Sequence, residues 1–268
     1  MLRLSNKLTF LGASLLASIS FLAACENDEA EMPVMPDGPT GSLQVNDQLL
    51  SSNKIIVPAI TMSKTGWVVV HKSTADGGPV VPAIISVPKQ LMTGTSSNVE
   101  IMLKDEVMLE DGETLWVMLH TDDGVMGSYE FDGQNGLDGP IMEGDMIVME
   151  SIEAGSPMIV AEDQAVMNGM VTIAEVNAAV DGWLVIHNDN GSGQPIIPEI
   201  IGKTWVEAGS SSNVMVALDE GVMLQAGQKL FPMLHVDSPA NETYDFPDNG
   251  DAPEMFGTGI IMVDFTVQ

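Results

Sequence analysis

Along most of the chain, apolar residues alternate with polar ones or run in short blocks between Gly, Pro, Asn and Asp, and β-branched residues are abundant. A period of two with such punctuation marks strands, because successive side chains on a strand point to opposite faces. The pattern predicts strands near 43–47, 54–61, 66–72, 79–87, 97–104, 114–121, 128–131 and 145–152, with counterparts in the second half. Turn signals separate them: Asp76-Gly77-Gly78, Asp111-Gly112 and Asp132-Gly133, then Asn190-Gly191 and Asn249-Gly250. No stretch repeats its apolar residues at helical spacing. The expected fold is all-β, built of antiparallel β-sandwiches with Greek-key connections of the immunoglobulin or cupredoxin kind.

The same pattern occurs twice. Gly66-Trp67-Val68-Val69-Val70-His71 recurs as Gly182-Trp183-Leu184-Val185-Ile186-His187, an offset of 116. Asp47-Gln48 recurs as Asp163-Gln164 and Pro79-Val80-Val81-Pro82 as Pro195-Ile196-Ile197-Pro198 in that register. After one deletion Ser97-Asn98-Val99 matches Ser212-Asn213-Val214, and Met118-Leu119-His120-Thr121-Asp122 matches Met233-Leu234-His235-Val236-Asp237. Tyr129-Glu130-Phe131 likewise matches Tyr244-Asp245-Phe246. Two homologous domains are expected, 43–153 and 157–268, each near the common size of a single domain.

The segment ahead of them has another character. Arg3 and Lys7 precede an apolar run from Leu8 to Ala24, which reads as a secretory leader over 1–24. Leu22-Ala23-Ala24-Cys25 resembles the lipobox of bacterial lipoproteins, in which the cysteine thiol receives a diacylglycerol and the chain is cut just before it. The resemblance implies Cys25 as the lipid attachment residue and a membrane partner reached through that lipid. Residues 25–42, rich in Glu, Asp, Pro and Gly, then read as a tether. With its one cysteine acylated, the exported body has no thiol for a disulfide or a thiolate metal site, so packing must hold it together.

Both repeats carry Gly-Trp-(Val/Leu)-Val-(Val/Ile)-His and Met-Leu-His-x-Asp, the latter followed by Tyr-(Glu/Asp)-Phe and an Asp/Gly/Pro stretch. This pair of signatures resembles an uncharacterised domain of haloarchaeal and bacterial surface proteins. The resemblance implies a β-sandwich displayed outside the cell, often in tandem, without an assigned activity.

The four histidines, His71, His120, His187 and His235, all stand at repeat-equivalent positions. Alternation puts Trp67, Val69 and His71 on one side of their strand, and Trp116, Met118, His120 and Asp122 on one side of theirs. Phe231, Met233, His235 and Asp237 repeat the second set. Should the strands adjoin, each domain gathers two imidazoles, a thioether and a carboxylate, donors suited to copper or zinc. The same histidines can equally tie down loops through backbone carbonyls, and the residues alone leave both readings open. Twenty methionines resemble a copper signal, but positions such as Met102, Met108, Met146, Met149 and Met223 fall in strand patterns and read as core filler.

Charge narrows the choice of partners. The chain has 38 acidic and 9 basic residues, a net charge of −29, which repels phosphate backbones and argues against nucleic acid. The acidic turns Asp122-Asp123-Gly124, Asp132-Gly133 and Asp138-Gly139, with Asp245, Asp248 and Asp251, offer oxygen ligands for calcium, but none has the spacing of a twelve-residue calcium loop. No nucleophile elbow is present, and aromatic residues make up only 5% of the chain, few for a carbohydrate platform. The expectation is a non-catalytic binding or structural protein at the cell surface, its protein or ligand partner unidentified, with no cofactor required. The alternative is a periplasmic or surface metal-binding protein using the paired histidines.

Overall fold

The computed structural model describes residues 38–268, which contain strands and no helix. The leader, Cys25 and the tether up to Asp37 lie outside the described residues. No helix among those described is long and apolar enough to cross a membrane.

The first repeat comprises β1 (Gly41–Gln44), β2 (Gln48–Leu49), β3 (Lys54–Met62), β4 (Gly66–Lys72), β5 (Lys89–Leu91), β6 (Gly94–Met102), β7 (Glu113–Thr121), β8 (Met142–Glu143), β9 (Met146–Ile147) and β10 (Met149–Gly155). One sheet has the order β1-β3-β6 and the other β2-β10-β7-β4-β5. β1 pairs antiparallel with β3, whereas β2, just after it in the chain, crosses to the other sheet and runs parallel to β10. This is the immunoglobulin-type Greek key with a first strand that switches sheets.

The second repeat comprises β11 (Met158–Val160), β12 (Met170–Ala178), β13 (Gly182–Asn188), β14 (Gly202–Val206), β15 (Gly209–Ala217), β16 (Lys229–Val236), β17 (Ala252–Pro253), β18 (Met255–Phe256), β19 (Gly259–Ile260) and β20 (Phe265–Thr266). Its sheets are β11-β12-β15 and β14-β13-β16-β17, with β20 also on β16. β18 and β19 form a hairpin matching β8–β9.

Each sandwich closes over its own core. Val68, Val70, Leu115, Val117 and Leu119 meet Ile55, Val57, Ile60, Val99 and Ile101 in the first; Leu184, Ile186, Leu230 and Leu234 meet Val171, Ile173, Val176 and Val216 in the second. β4 and β7 are also buried on their other face, which is why both read as near-continuous apolar runs rather than alternating ones.

Several repeated motifs are backbone devices. Gln48 exchanges two hydrogen bonds with Ile56, donating to its carbonyl and accepting from its N–H, and Gln164 does the same with Thr172. Asp47 accepts from the N–H of Glu153 and Asp163 from that of Thr266. The Asp-Gln pair therefore laces the sheet-switching segment to both sheets. Asn98 (φ 49°) and Asn213 (φ 53°) take the left-handed conformation where the β3–β6 and β12–β15 ladders each skip a pair.

Two expected strands do not form. Residues 79–87 contain only isolated bridges and are a loop, since Pro79 and Pro82 lack the N–H a ladder needs and the Val80 and Ala83 carbonyls turn to His71 instead. Residues 128–131 lie in a long covering loop rather than in a ladder. The methionines read as core filler are also misassigned: Met102, Met108, Met146 and Met223 are exposed, and Met149 is half-buried. Among the described residues only Met62, Met118 and Met233 are buried.

The repeats are joined by more than the chain. Asn53 donates to the Gly257 carbonyl at 2.7 Å and accepts from its N–H at 2.6 Å, Phe256 is part of the first repeat's core, and Ile261 packs against both cores. Gly257 is left-handed at φ 58°, and a Cβ there would press on the Val107 carbonyl and the Leu109 N–H.

Candidate functional site

The two histidine strands of each repeat are direct neighbours. Across the β4–β7 ladder Trp67 stands opposite His120, Val69 opposite Met118 and His71 opposite Trp116. Across β13–β16, Trp183 stands opposite His235, Val185 opposite Met233 and His187 opposite Phe231. All of these side chains occupy the outer face of the larger sheet, away from the sandwich core. The two expected sets of Trp, Met and His therefore share one surface. A Cβ on Gly66 or Gly182 would run into the backbone carbonyl of His120 or His235, so the Gly of each Gly-Trp motif permits the close ladder beneath the site.

That surface is covered. The loop from Asp122 to Ile141 folds over it, setting Tyr129 edge-on to Trp67 at 5.9 Å and to His120 at 5.5 Å, with Phe131 against His120 at 4.8 Å. Tyr244 packs on Trp183 and His235, and Phe246 on His235, in the second repeat. Buried carboxylates hold the flaps in place. Asp138 accepts from the N–H groups of Asp123 (2.7 Å) and Glu130 (2.6 Å), while Asp251 accepts from those of Ser238 (2.9 Å) and Asp245 (2.8 Å). Asp122, a proposed ligand, accepts from Gln90 and from the N–H of Gly127. Asp237 accepts from the N–H groups of Asn241 and Glu242 on one oxygen, and its other oxygen is buried without a partner. The acidic turns thus engage their own backbone. Among the described residues no group of three or more His, Cys, Asp and Glu comes together to hold a metal.

His71, His120 and His187 are completely buried, and His235 is 1% exposed. The His71 Nδ1–H is shared between the carbonyls of Val80 (3.0 Å) and Ala83 (2.8 Å), and the His187 Nδ1–H between those of Ile196 (2.9 Å) and Glu199 (2.8 Å). His120 donates from Nδ1 to the Asp138 carbonyl at 2.7 Å. A carbonyl only accepts, so Nδ1 carries a proton in these three rings, and in the neutral ring Nε2 is then the nitrogen with the lone pair. That Nε2 has no partner in any of them. His235 is turned differently: its Nε2 lies 3.3 Å from the Met233 sulfur and its Nδ1 is unpartnered. The Trp67 and Trp183 Nε1–H groups and the Tyr129 and Tyr244 hydroxyls are likewise buried without partners.

The paired rings lie at one distance in both copies. His71 and His120 have centroids 6.1 Å apart, as do His187 and His235. Burial pushes His120 down to about 4, with its Asp138 bond opposing and His71 adding to the fall. Burial, then the neighbouring His187, also pushes His235 down to about 4. His71 is lowered by burial against the pull of its two carbonyl bonds, and Tyr129 and Tyr244 are raised by burial. The site is thus an enclosed pair of imidazoles with aromatic neighbours and, in the second copy, a thioether beside one ring nitrogen.

The covering residues Tyr129, Phe131, Asp138 and Asp251 are absent from the ligand set drawn from the sequence. Their only signal there was the repeated Tyr-(Glu/Asp)-Phe and the Asp a few residues on.

The model of a domain of unknown function, DUF7282, matches residues 41–154 and again 157–268. No curated protein matches the chain. Among solved structures, it is similar to the BSP domain of a biofilm associated protein (12% identity, TM-score 0.26, covering 84% of this chain and 29% of that one). It is also similar to CBD12 from CALX1.2 (8% identity, TM-score 0.22, covering 85% and 98%). A third similarity is to a chain of a chaperone-tip adhesin complex of CFA/I fimbriae biogenesis (9% identity, TM-score 0.24, covering 80% and 97%).

Proposed function

Because the chain belongs to the DUF7282 family and carries two tandem copies of its domain, we propose that it is an exported lipoprotein that presents both sandwiches outside the cytoplasm in a non-catalytic binding or structural role. The observation that carries the non-catalytic part is burial: all four histidines lie beneath the flaps, away from solvent. Attachment rests on Cys25 behind its apolar leader, since a diacylglyceryl thioether with an N-terminal acyl chain buries enough methylenes for stable anchoring. The test is membrane fractionation with labelled fatty acid in cells expressing the wild-type chain or Cys25→Ser. The wild-type chain should take up label and sediment with membranes, and the variant should do neither. A variant that stays membrane-bound would remove the lipoprotein reading.

A second reading, metal binding by the paired histidines, is favoured by one observation. Nε2 of His71, His120 and His187 is buried with no hydrogen-bond partner, and Nε2 of His235 faces only the Met233 sulfur.

A further inference from the structure

The geometry points to a soft, monovalent d¹⁰ cation, copper(I) above all, as the ion each sandwich takes between its two imidazoles and one thioether: His71, His120 and Met118 in the first copy, and His187, His235 and Met233 in the second. This rests on the metal-binding reading and names its ion and its third ligand.

Four observations support it. First, metal-bound histidine characteristically donates its other ring N–H to a carbonyl or carboxylate, which fixes the tautomer and aims the bare nitrogen. His71, His120 and His187 already have that arrangement, with carbonyl acceptors at 2.7–3.0 Å and Nε2 free.

Second, the paired rings are widely set. With metal–nitrogen bonds of roughly 2.0 Å, two imidazoles on one ion have centres about 5 Å apart at a tetrahedral angle and about 6 Å apart when nearly in line. The observed 6.1 Å in both copies suits the open, low-coordinate geometry that d¹⁰ monovalent ions adopt, and fits tetrahedral zinc poorly.

Third, a thioether lies on the same strand face in both copies and reaches an imidazole nitrogen in the second. Met118 and Met233 are repeat-equivalent, buried, and two residues before a site histidine on the same strand face. The 3.3 Å between His235 Nε2 and the Met233 sulfur is close to the edge spanned by one nitrogen and one sulfur on a shared ion, given bonds of roughly 2.0 and 2.3 Å.

Fourth, the donor set of imidazoles and thioether contains no carboxylate, and the site is enclosed. Burying a charge without a paired anion becomes more costly as the charge rises, so a monovalent ion is accommodated where a divalent one is opposed. Thioether and imidazole suit copper(I), whereas calcium takes roughly six or more oxygen ligands, and among the flap aspartates Asp122, Asp138, Asp237 and Asp251 only Asp237 keeps a buried oxygen without a partner.

The test uses the full chain, purified in detergent and stripped of metal, titrated anaerobically with copper(I) against a chromophoric copper(I) chelator, with zinc(II) and calcium in parallel. Two equivalents of copper(I) should be retained, and X-ray absorption should show nitrogen and sulfur scatterers. H71Q/H187Q should lose both equivalents. M118L/M233L, which keeps volume and burial, should stay folded and weaken retention about 10-fold or more. Zinc held through the histidines in preference to copper(I) would overturn the ion assignment and leave the metal reading standing. A folded chain that retains neither ion would overturn both, leaving enclosed water to bridge the ring nitrogens. Copper(I) retained equally by all variants would place it on exposed methionines such as Met223 and overturn the site.

Discussion

Trp67 and His120 face each other across the β4–β7 ladder, and Tyr129 lies edge-on to both. Its hydroxyl is buried with no partner, a state that normally costs about 1–3 kcal/mol. Tyr129→Phe in the metal-free chain should therefore leave stability unchanged or raise it by about 1 kcal/mol, read from urea unfolding. A loss of that size would reveal an enclosed water bonded to the hydroxyl.

Acid should weaken the metal-free fold in a defined window. His120 and His235 fall from an ordinary 6.5 to about 4, so between those values the unfolded chain binds protons that the folded chain refuses. The contribution of these two rings is flat above pH 6.5, declines as pH falls to 4 and levels off below. The loss is about 3 kcal/mol per ring. Chemical denaturation at pH 7, 5.5 and 4, done on a Glu254→Gln background, measures it, and adding His120→Gln should make the decline shallower.

Glu254 has the opposite sign. It is 1% exposed, and burial raises it to about 7, against a weaker pull from Ser51. The folded chain keeps that proton where the unfolded chain has lost it, so this contribution favours folding below pH 4.5 and is lost as pH rises through 7. Glu254→Gln should stabilise the protein at pH 8 by up to about 3 kcal/mol and change little at pH 4, by the same denaturation series.

Gly66→Ala and Gly182→Ala should each cost at least about 2 kcal/mol, because the new methyl meets a backbone carbonyl that moves only if the ladder opens. The fall in melting temperature should be accompanied by faster hydrogen exchange in β7 or β16 respectively.

Hydropathy patterning located the paired strands 66–72 and 114–121 as near-continuous apolar blocks, because apolar side chains cover both faces of their sheet. It failed at 79–87, where prolines release carbonyls that His71 then binds, a use of the backbone that hydropathy does not register. It failed again at 128–131, where alternation reflects Tyr129 and Phe131 pressing down from a loop. The histidine pairs were legible as repeated residues, but their adjacency depended on strand order. The Asn53–Gly257 contact spans 204 residues and has no local trace.

That contact gives a further expectation. Phe256→Ala empties part of the first core at about 3–5 kcal/mol, and Asn53→Ala removes both reciprocal bonds. In calorimetry a single unfolding transition should divide into two for the Phe256 variant, with the first repeat melting earlier.

The junction is not written twice. Glu143 stands in the first repeat where the second has Phe256, and Gly169 stands in the second where the first has Asn53. The matching hollow on the second repeat, about 570 Å³ and bordered by Val166, Gly169, Val222 and Leu224, therefore lacks the amide that grips the neighbouring turn. Duplicated genes often yield interchangeable beads, but these two have diverged into a left and a right piece. Exchanging their order would set a carboxylate against that hollow, take Phe256 from the core it completes and undo the seam.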